Sequence, residues 1–249
     1  MSNNLPFSSV DEVLEGQVLV FDKPLTWTSF DVVNKVRGTL KNVFKLRKIK
    51  VGHAGTLDPL ATGVLILCTG KKTKTIDQLQ AQEKTYTGTI RLGVTTPSFD
   101  SETEIDSWGD PSLIKALSND DISKMTNNFI GDLAQIPPQF SAKKVDGVVA
   151  YNAARRGEKV NLKPKSVQVF SFEITSFTPN HLSNHPIIDA QFLIKCSKGT
   201  YIRALARDLG KALNVGGTLV ELRRTKSGNF TVETAYDLQE FISSVKSLA

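Results

Sequence analysis

Gly52-His53-Ala54-Gly55-Thr56-Leu57-Asp58-Pro59-Leu60-Ala61-Thr62-Gly63-Val64-Leu65 is the most informative stretch of this 249-residue chain. Three glycines and a proline within fourteen residues mark a tightly specified loop, because glycine admits positive φ and proline fixes its own. The apolar run at 64–68, Val-Leu-Ile-Leu-Cys, follows it and reads as a buried strand. One carboxylate, Asp58, stands in the middle of the loop.

Working outward, the charge around Asp58 is one-sided. Residues 32–76 carry ten Lys/Arg and only that carboxylate, so they hold +9 of a chain whose net charge is +6. A second basic region at 195–226 has eight Lys/Arg against Asp208 and Glu221. An acidic counterpart at 100–121 has seven carboxylates against Lys115. Segregation of this kind fits a polyanion partner, since each cation that meets a phosphate releases a counterion. A solvated lysine-rich helix face reads equally well from charge alone. Positive surroundings favour the charged form of a carboxylate. An ionised Asp58 on a phosphate-binding surface repels RNA unless it does nucleophilic or general-base work. The plain alternative is an Asp-Pro turn capped by its own side chain.

The composition, 40% hydrophobic and 22% charged, is that of a globular chain. Residues 1–14 read as a polar, loosely anchored, flexible start, and 15–249 as a single domain. A strand is predicted at 17–21. Thr28-Ser29-Phe30-Asp31 then resembles a capping box opening a helix. Phe30, Val33, Val36, Leu40, Val43 and Phe44 recur at spacings of three or four and predict its buried stripe. Further strands are expected at 84–94, 165–178 and 187–197, and short helices within 113–130. Val145-Asp146-Gly147-Val148 signals a hairpin. A helix at 201–213, a hairpin at 218–232 and a terminal helix from Leu238 complete the chain. Intermixed strands and helices place it in the α/β or α+β class around a mixed sheet.

Several chemistries are disfavoured. The longest apolar run is far short of the roughly 20 residues that span a bilayer, and no signal peptide opens the chain. Two distant cysteines, Cys68 and Cys196, form no metal or disulfide framework. A soluble protein of the reducing cytoplasm is expected. Gly63 and Gly70 with Lys71 have the wrong spacing for a phosphate loop, and G-x-G-x-x-G is absent. His181 and His185 lack the Glu of a zinc helix and precede Pro186, so a solvated loop is expected there. No G-x-S-x-G supports a hydrolase.

The loop G-H-A-G-T-L-D-P-L-A-T-G-V-L resembles the signature of the TruB family of tRNA pseudouridine synthases. The resemblance continues, in family order, through F-D-K-P at 21–24, K-T-Y at 84–86, S-A-K-K-V-D-G at 141–147, C-S-K-G-T-Y-I-R at 196–203 and L-R-R at 222–224. It implies the pseudouridine synthase catalytic domain, with a central, mainly antiparallel sheet flanked by helices and loops. It also implies isomerisation of uridine to pseudouridine at tRNA position 55, in the T-loop, with no cofactor or metal.

By this resemblance Asp58 is the catalytic aspartate. Tyr86 stacks on the target base and removes the C5 proton, and Arg203 pairs with Asp58 and orients it. His53 enters the RNA helix and supports a flipped-out base, Tyr201 and Leu222 line the uracil pocket, and Lys23 lends support behind the tyrosine. Taken singly, the bland readings are a half-buried strand residue for Tyr86, a surface partner of Asp208 for Arg203 and core for Leu222. Base flipping costs a few kcal/mol, which a gap-filling histidine and a stacking aromatic offset.

The first motif departs from the family's D-K-P-x-G-x-T-S, because Thr26 stands at the glycine position and Trp27 follows. Only sixteen residues follow Glu233, too few for the PUA domain of many relatives. The catalytic domain is therefore expected to hold the T-arm alone, as a monomer, with weak dependence on the CCA end. Residues 35–50 and 195–226 are the expected phosphate contacts. The competing function is a non-catalytic RNA-folding module on the same scaffold, which needs the basic patches but not Asp58.

Overall fold

The computed structural model describes residues 5–145 and 147–248. The chain falls into two compact units, one built from residues up to Thr85 with those from Arg223 onward, the other Tyr86–Leu222.

The first unit begins with α1 (Val10–Glu15), β1 (Val18–Lys23), α2 (Ser29–Val43), β2 (Val51–His53), β3 (Ala61–Thr69), a 3-10 turn (Gly70–Thr75) and α3 (Ile76–Ala81). β4 (Lys84–Leu92) carries the chain into the second unit. The predicted strand and capping box are both present: Thr28 Oγ1 accepts from the Asp31 N–H at 3.0 Å, and an Asp31 carboxylate oxygen accepts from the Thr28 N–H at 2.9 Å. Residues 5–14, within the segment read as a polar start, make two sets of contacts. Ser9 and Glu12 form a second capping box that opens α1. Phe7 is buried, edge-on to Phe44 at 5.8 Å and to Phe241 at 6.2 Å.

α2 corrects one expectation. Val33, Val36 and Leu40 are buried as the spacing predicted, joined by Ser29, Val32 and Thr39. Phe30, however, is 58% exposed. The buried face is centred on Ser29, Val36 and Leu40, and Phe30 lies about 120° round the helix from that centre.

The second unit adds β5 (Val94–Thr95), β6 (Ser107–Trp108), α4 (Pro111–Ala116), α5 (Asn119–Thr126), β7 (Gly131–Gln135), β8 (Lys144–Val145), β9 (Val148–Val149) and α6 (Ala150–Arg155). The long hairpin β10 (Lys165–Leu182) and β11 (His185–Cys196), then α7 (Ile202–Ala212) and β12 (Gly217–Ser227), follow. Val145 pairs with Val148 as the Asp-Gly signal predicted, although Asp146 itself lies outside the described residues. His181 and His185 sit at the tip of the β10–β11 hairpin rather than in a free loop. The turn is made by Ser183 and Asn184, both at positive φ, and the His185 ring stacks on Trp108 at 4.5 Å. Pairing runs β12, β4, β11, β10, β7.

Back in the first unit come β13 (Phe230–Thr231), β14 (Tyr236–Asp237) and α8 (Leu238–Lys246). Pairing here runs β14, β1, β3, β12, with β2 against β3. β1 is antiparallel to β3, Lys23 opposite Gly63, and parallel to β14. Both units thus contribute mainly antiparallel strands flanked by helices, the fold class the sequence predicts. One core of this unit gathers Phe21, Phe7 and Phe241. A second joins Val20, Ala54, Val64 and Ile66, with Ile76 and Leu79 packed against it. Ala54 and Val64 of that second core belong to the Gly52–Leu65 stretch itself. Among the described residues no helix is long and apolar enough to cross a membrane.

Candidate active site

Asp58 lies on the loop joining β2 to β3 and is half-buried. The backbone on either side of it is held almost residue by residue. Ser29 Oγ accepts from the Leu57 N–H at 2.8 Å and donates to the Leu57 carbonyl at 3.1 Å. The Ala61 N–H donates to the Asp58 carbonyl at 3.0 Å, and the Thr26 N–H to the Pro59 carbonyl at 2.9 Å. Arg224, 1% exposed, donates from Nε to the Val64 carbonyl at 2.7 Å and from Nη2 to the Gly55 carbonyl at 3.0 Å. Gly63, at φ +100°, is obligatory, since a Cβ there would meet the Arg224 carbonyl oxygen at 2.2 Å.

Lys23 has no exposed surface. Its ammonium donates to the carbonyls of Trp27 at 2.5 Å, Pro24 at 2.8 Å and Pro59 at 3.3 Å. Through these bonds Lys23 braces the loop. Burial pulls its pKa down to about 8, against the opposing pull of the Asp58 charge. A lysine with a lowered folded pKa contributes stability above its unfolded value, and that stability is lost as pH falls through 8. Its support of the loop runs the other way, because three carbonyls need three N–H groups and the neutral amine has two. Single-turnover rate is expected to fall with an apparent pKa near 8 while the urea midpoint does not fall. A rate that stays level to well above that value would contradict the bracing role.

Thr26, the departure from the family pattern, stands at φ +71°. The loop thus keeps the left-handed turn that glycine would adopt freely. Left-handed geometry costs an L-residue roughly 1–2 kcal/mol, and glycine's extra chain entropy costs about 0.5–1 kcal/mol. The Thr26 side chain is exposed, so Thr26→Gly is expected to stabilise the protein by about 0.5–1 kcal/mol without loss of activity. Urea unfolding measures this, and destabilisation would contradict it.

β2 carries His53, half-buried. Burial and the charge of Arg224 hold its imidazole below the usual histidine value, and among the described residues its buried Nδ1 has no hydrogen-bond partner. Arg223 forks onto Asp22 at 2.6 and 3.0 Å and reaches Thr62 Oγ1 at 3.2 Å. Lys48, Lys50, Lys71 and Lys74 line a cavity of about 370 Å³ with Leu14, Ile49, Gly70 and Thr73. Lys84, of the K-T-Y motif, is buried with its ammonium on the carbonyls of Gln80 and Gln82.

In the second unit Tyr86 is buried on β4, and Leu222 is half-buried on β12. Arg203 opens α7 and is 4% exposed. It donates to the carbonyls of Ser98 at 3.1 Å and Phe140 at 2.8 Å, and pairs with the Asp100 carboxylate at 3.3 Å. Asp208 instead pairs with Arg207, which removes the surface-pair reading of Arg203. Tyr201 is positioned by Gln135: the Tyr201 N–H donates to Gln135 Oε1 at 2.7 Å, and Gln135 Nε2 donates to the Tyr201 carbonyl at 3.1 Å.

The sequence reading assigned no site role to Asp100, Gln135 or Ser29. Asp100 left a trace as the first carboxylate of an acidic run and Ser29 as part of the capping-box stretch, whereas Gln135 left none. In the second basic region Arg203, Arg207, Arg223 and Arg224 each hold carboxylates or carbonyls of their own units.

Residues 41–202 match the TruB family pseudouridylate synthase (N terminal domain), and 203–247 the tRNA pseudouridylate synthase B C-terminal domain. A tRNA pseudouridine synthase B of Parabacteroides distasonis is 48% identical over 230 residues, covering 92% of this chain and 93% of its own. That of Flavobacterium johnsoniae is 49% identical over 237 residues, covering 95% and 99%. Among solved structures, a chain of a Cbf5–Nop10–Gar1 complex superimposes with a TM-score of 0.64 at 28% identity. The match takes in 93% of this chain and about half, 54%, of that one. With the motif loop, its braces and these matches agreeing, the chain belongs to the TruB family of pseudouridylate synthases, which are isomerases.

Proposed function

We propose that the chain converts uridine 55 in the T-loop of tRNA to pseudouridine, with Asp58 as the catalytic carboxylate. The observation that carries this is the bracing of the Asp58 loop. Ser29, Thr26, Lys23 and Arg224 engage backbone groups at Gly55, Leu57 and Pro59. Side chains held this way lose little freedom on reaching the transition state, which is where positioning contributes most. A turn that merely capped itself would need no buried lysine and arginine beneath it.

The reaction breaks the N1–C1′ bond, turns the uracil and joins C5 to C1′, and the proton lost from C5 is balanced by one gained at N1. No electrons are gained or lost, so neither a redox cofactor nor a nucleotide takes part. Asp58 supplies the anionic group that opens the glycosidic bond. Tyr86 stacks on the base and takes the C5 proton, and Arg203 supplies a fixed positive charge for the chemistry. Tyr201 and Leu222 line the uracil site. His53, kept neutral by burial, fills the gap left by the flipped nucleotide. The lysines of residues 35–50 and the 370 Å³ cavity contact T-arm phosphates. The protein works in the cytoplasm as a monomer, one chain per T-arm.

Tritium release from an unmodified tRNA transcript labelled at uracil C5 tests this reading, with chelator present and no nucleotide added. Stoichiometric release of one tritium per tRNA is expected. Tight binding without release would favour the RNA-folding module.

A further inference from the structure

We propose that the outward face of α2 is an RNA contact surface, with Phe30 a stacking platform for an unpaired base and Gly38 the point where the RNA strand comes close to the helix. This inference rests on the tRNA reading above and extends it to residues that no family motif covers. Phe30, Asn34, Arg37 and Lys41 follow one another at spacings of four, three and four, so they form one stripe. Phe30 is 58% exposed, and Leu25, five residues before it, is 54% exposed. The ring is not left loose. The Arg37 guanidinium lies 5.8 Å from its centroid and is itself tied to Asn34. An ordered aromatic beside a fixed guanidinium offers two flat surfaces on which bases stack.

Gly38 supplies an independent observation. It lies in the middle of a fifteen-residue helix, where glycine is the poorest choice short of proline. Among the described residues, and outside its own turn of helix, a Cβ at that position would meet no atom within 4 Å. Nothing in the protein's own packing therefore calls for glycine, whereas a strand of RNA lying against the helix would. The charge of the face selects that partner. The α2 sequence holds Lys35, Arg37 and Lys41 and a single carboxylate, Asp31, which is already engaged by Thr28 in the capping box. The stripe also begins beside the reacting centre, because Ser29, the residue before Phe30, holds Leu57, the residue before Asp58.

The test measures affinity for an unmodified tRNA transcript by fluorescence anisotropy at several salt concentrations, with thermal unfolding alongside. Gly38→Ala is expected to raise the unfolding midpoint by about 2–4 °C through helix propensity and yet to weaken RNA binding several-fold. A purely structural glycine would not produce that opposition. Phe30→Leu is expected to leave the midpoint in place and to weaken binding about tenfold, with Phe30→Trp restoring it. Arg37→Gln should reduce the salt slope by about one phosphate contact. Variants that bind as tightly as a wild type that binds and turns over tRNA would overturn this inference alone. So would light scattering that shows Phe30 holding two copies of the chain together. A wild type that does not bind tRNA would overturn the functional reading, and this inference with it.

Discussion

Asp58→Asn is expected to slow single-turnover pseudouridine formation by about a thousandfold or more, the range in which removal of a positioned acid, base or nucleophile falls. Asn keeps the size and the backbone of the loop, so the braces at Leu57, Pro59 and Gly55 stay in place. Removing the Asp58 charge withdraws electrostatic support from the buried Lys23 ammonium, so a modest loss of stability is expected, and RNA affinity should hold or improve slightly, since a negative charge has left a basic surface. That combination separates catalysis from folding and from binding. A variant that was slow because it bound or folded poorly would move those properties as well, and titration of tRNA against both proteins distinguishes the cases.

Arg224→Met carries the largest expected effect on stability. The guanidinium spans two backbone carbonyls, Val64 within β3 and Gly55 in the loop. Methionine fills most of the volume but donates nothing, and a buried carbonyl left without a donor costs about 1–3 kcal/mol. Relief from burying a charge offsets part of this, which leaves an expected loss of about 2–4 kcal/mol. Turnover should fall further than stability alone explains, because the Gly55 end of the loop is released. Arg224→Lys is not a conservative change here, since one ammonium cannot reproduce the Nε and Nη2 geometry. Full activity and stability in Arg224→Lys would show that the site needs only a charge. Urea unfolding and single-turnover rates, measured on the same preparations, give both numbers.

Much of this arrangement was legible in the residues because local physics wrote it there. The capping box at Thr28 and Asp31, the hairpin at Val145 and Val148 and the run of glycines around Asp58 are all short-range patterns with one geometric solution. Phe30 was misplaced because a spacing of three from Val33 fits either edge of a helical stripe, and only packing decides which edge is wet. Thr26 was visible as a departure, but its φ of +71° was not, since nothing in a threonine announces a left-handed turn. The braces were the hardest to see. Lys23 reaches Pro59 across 36 residues and Arg224 reaches Gly55 across 169, and their acceptors are backbone carbonyls that leave no trace in sequence. For the same reason the sequence does not show that Arg203, Arg207, Arg223 and Arg224 hold groups of their own units. Asp100 reads in the sequence only as the first carboxylate of an acidic run, and it is the fold that brings it to Arg203.

The measurement that bears most directly on the central claim is nucleotide-resolution mapping of pseudouridine in an unmodified tRNA transcript after reaction with the wild-type chain. Pseudouridine at position 55, with every other uridine unchanged, is the expected result, and a transcript carrying cytidine at 55 should yield none. Conversion at another position, or no conversion by a protein that binds the transcript tightly, would contradict the assignment of the braced Asp58 loop to T-loop uridine isomerisation.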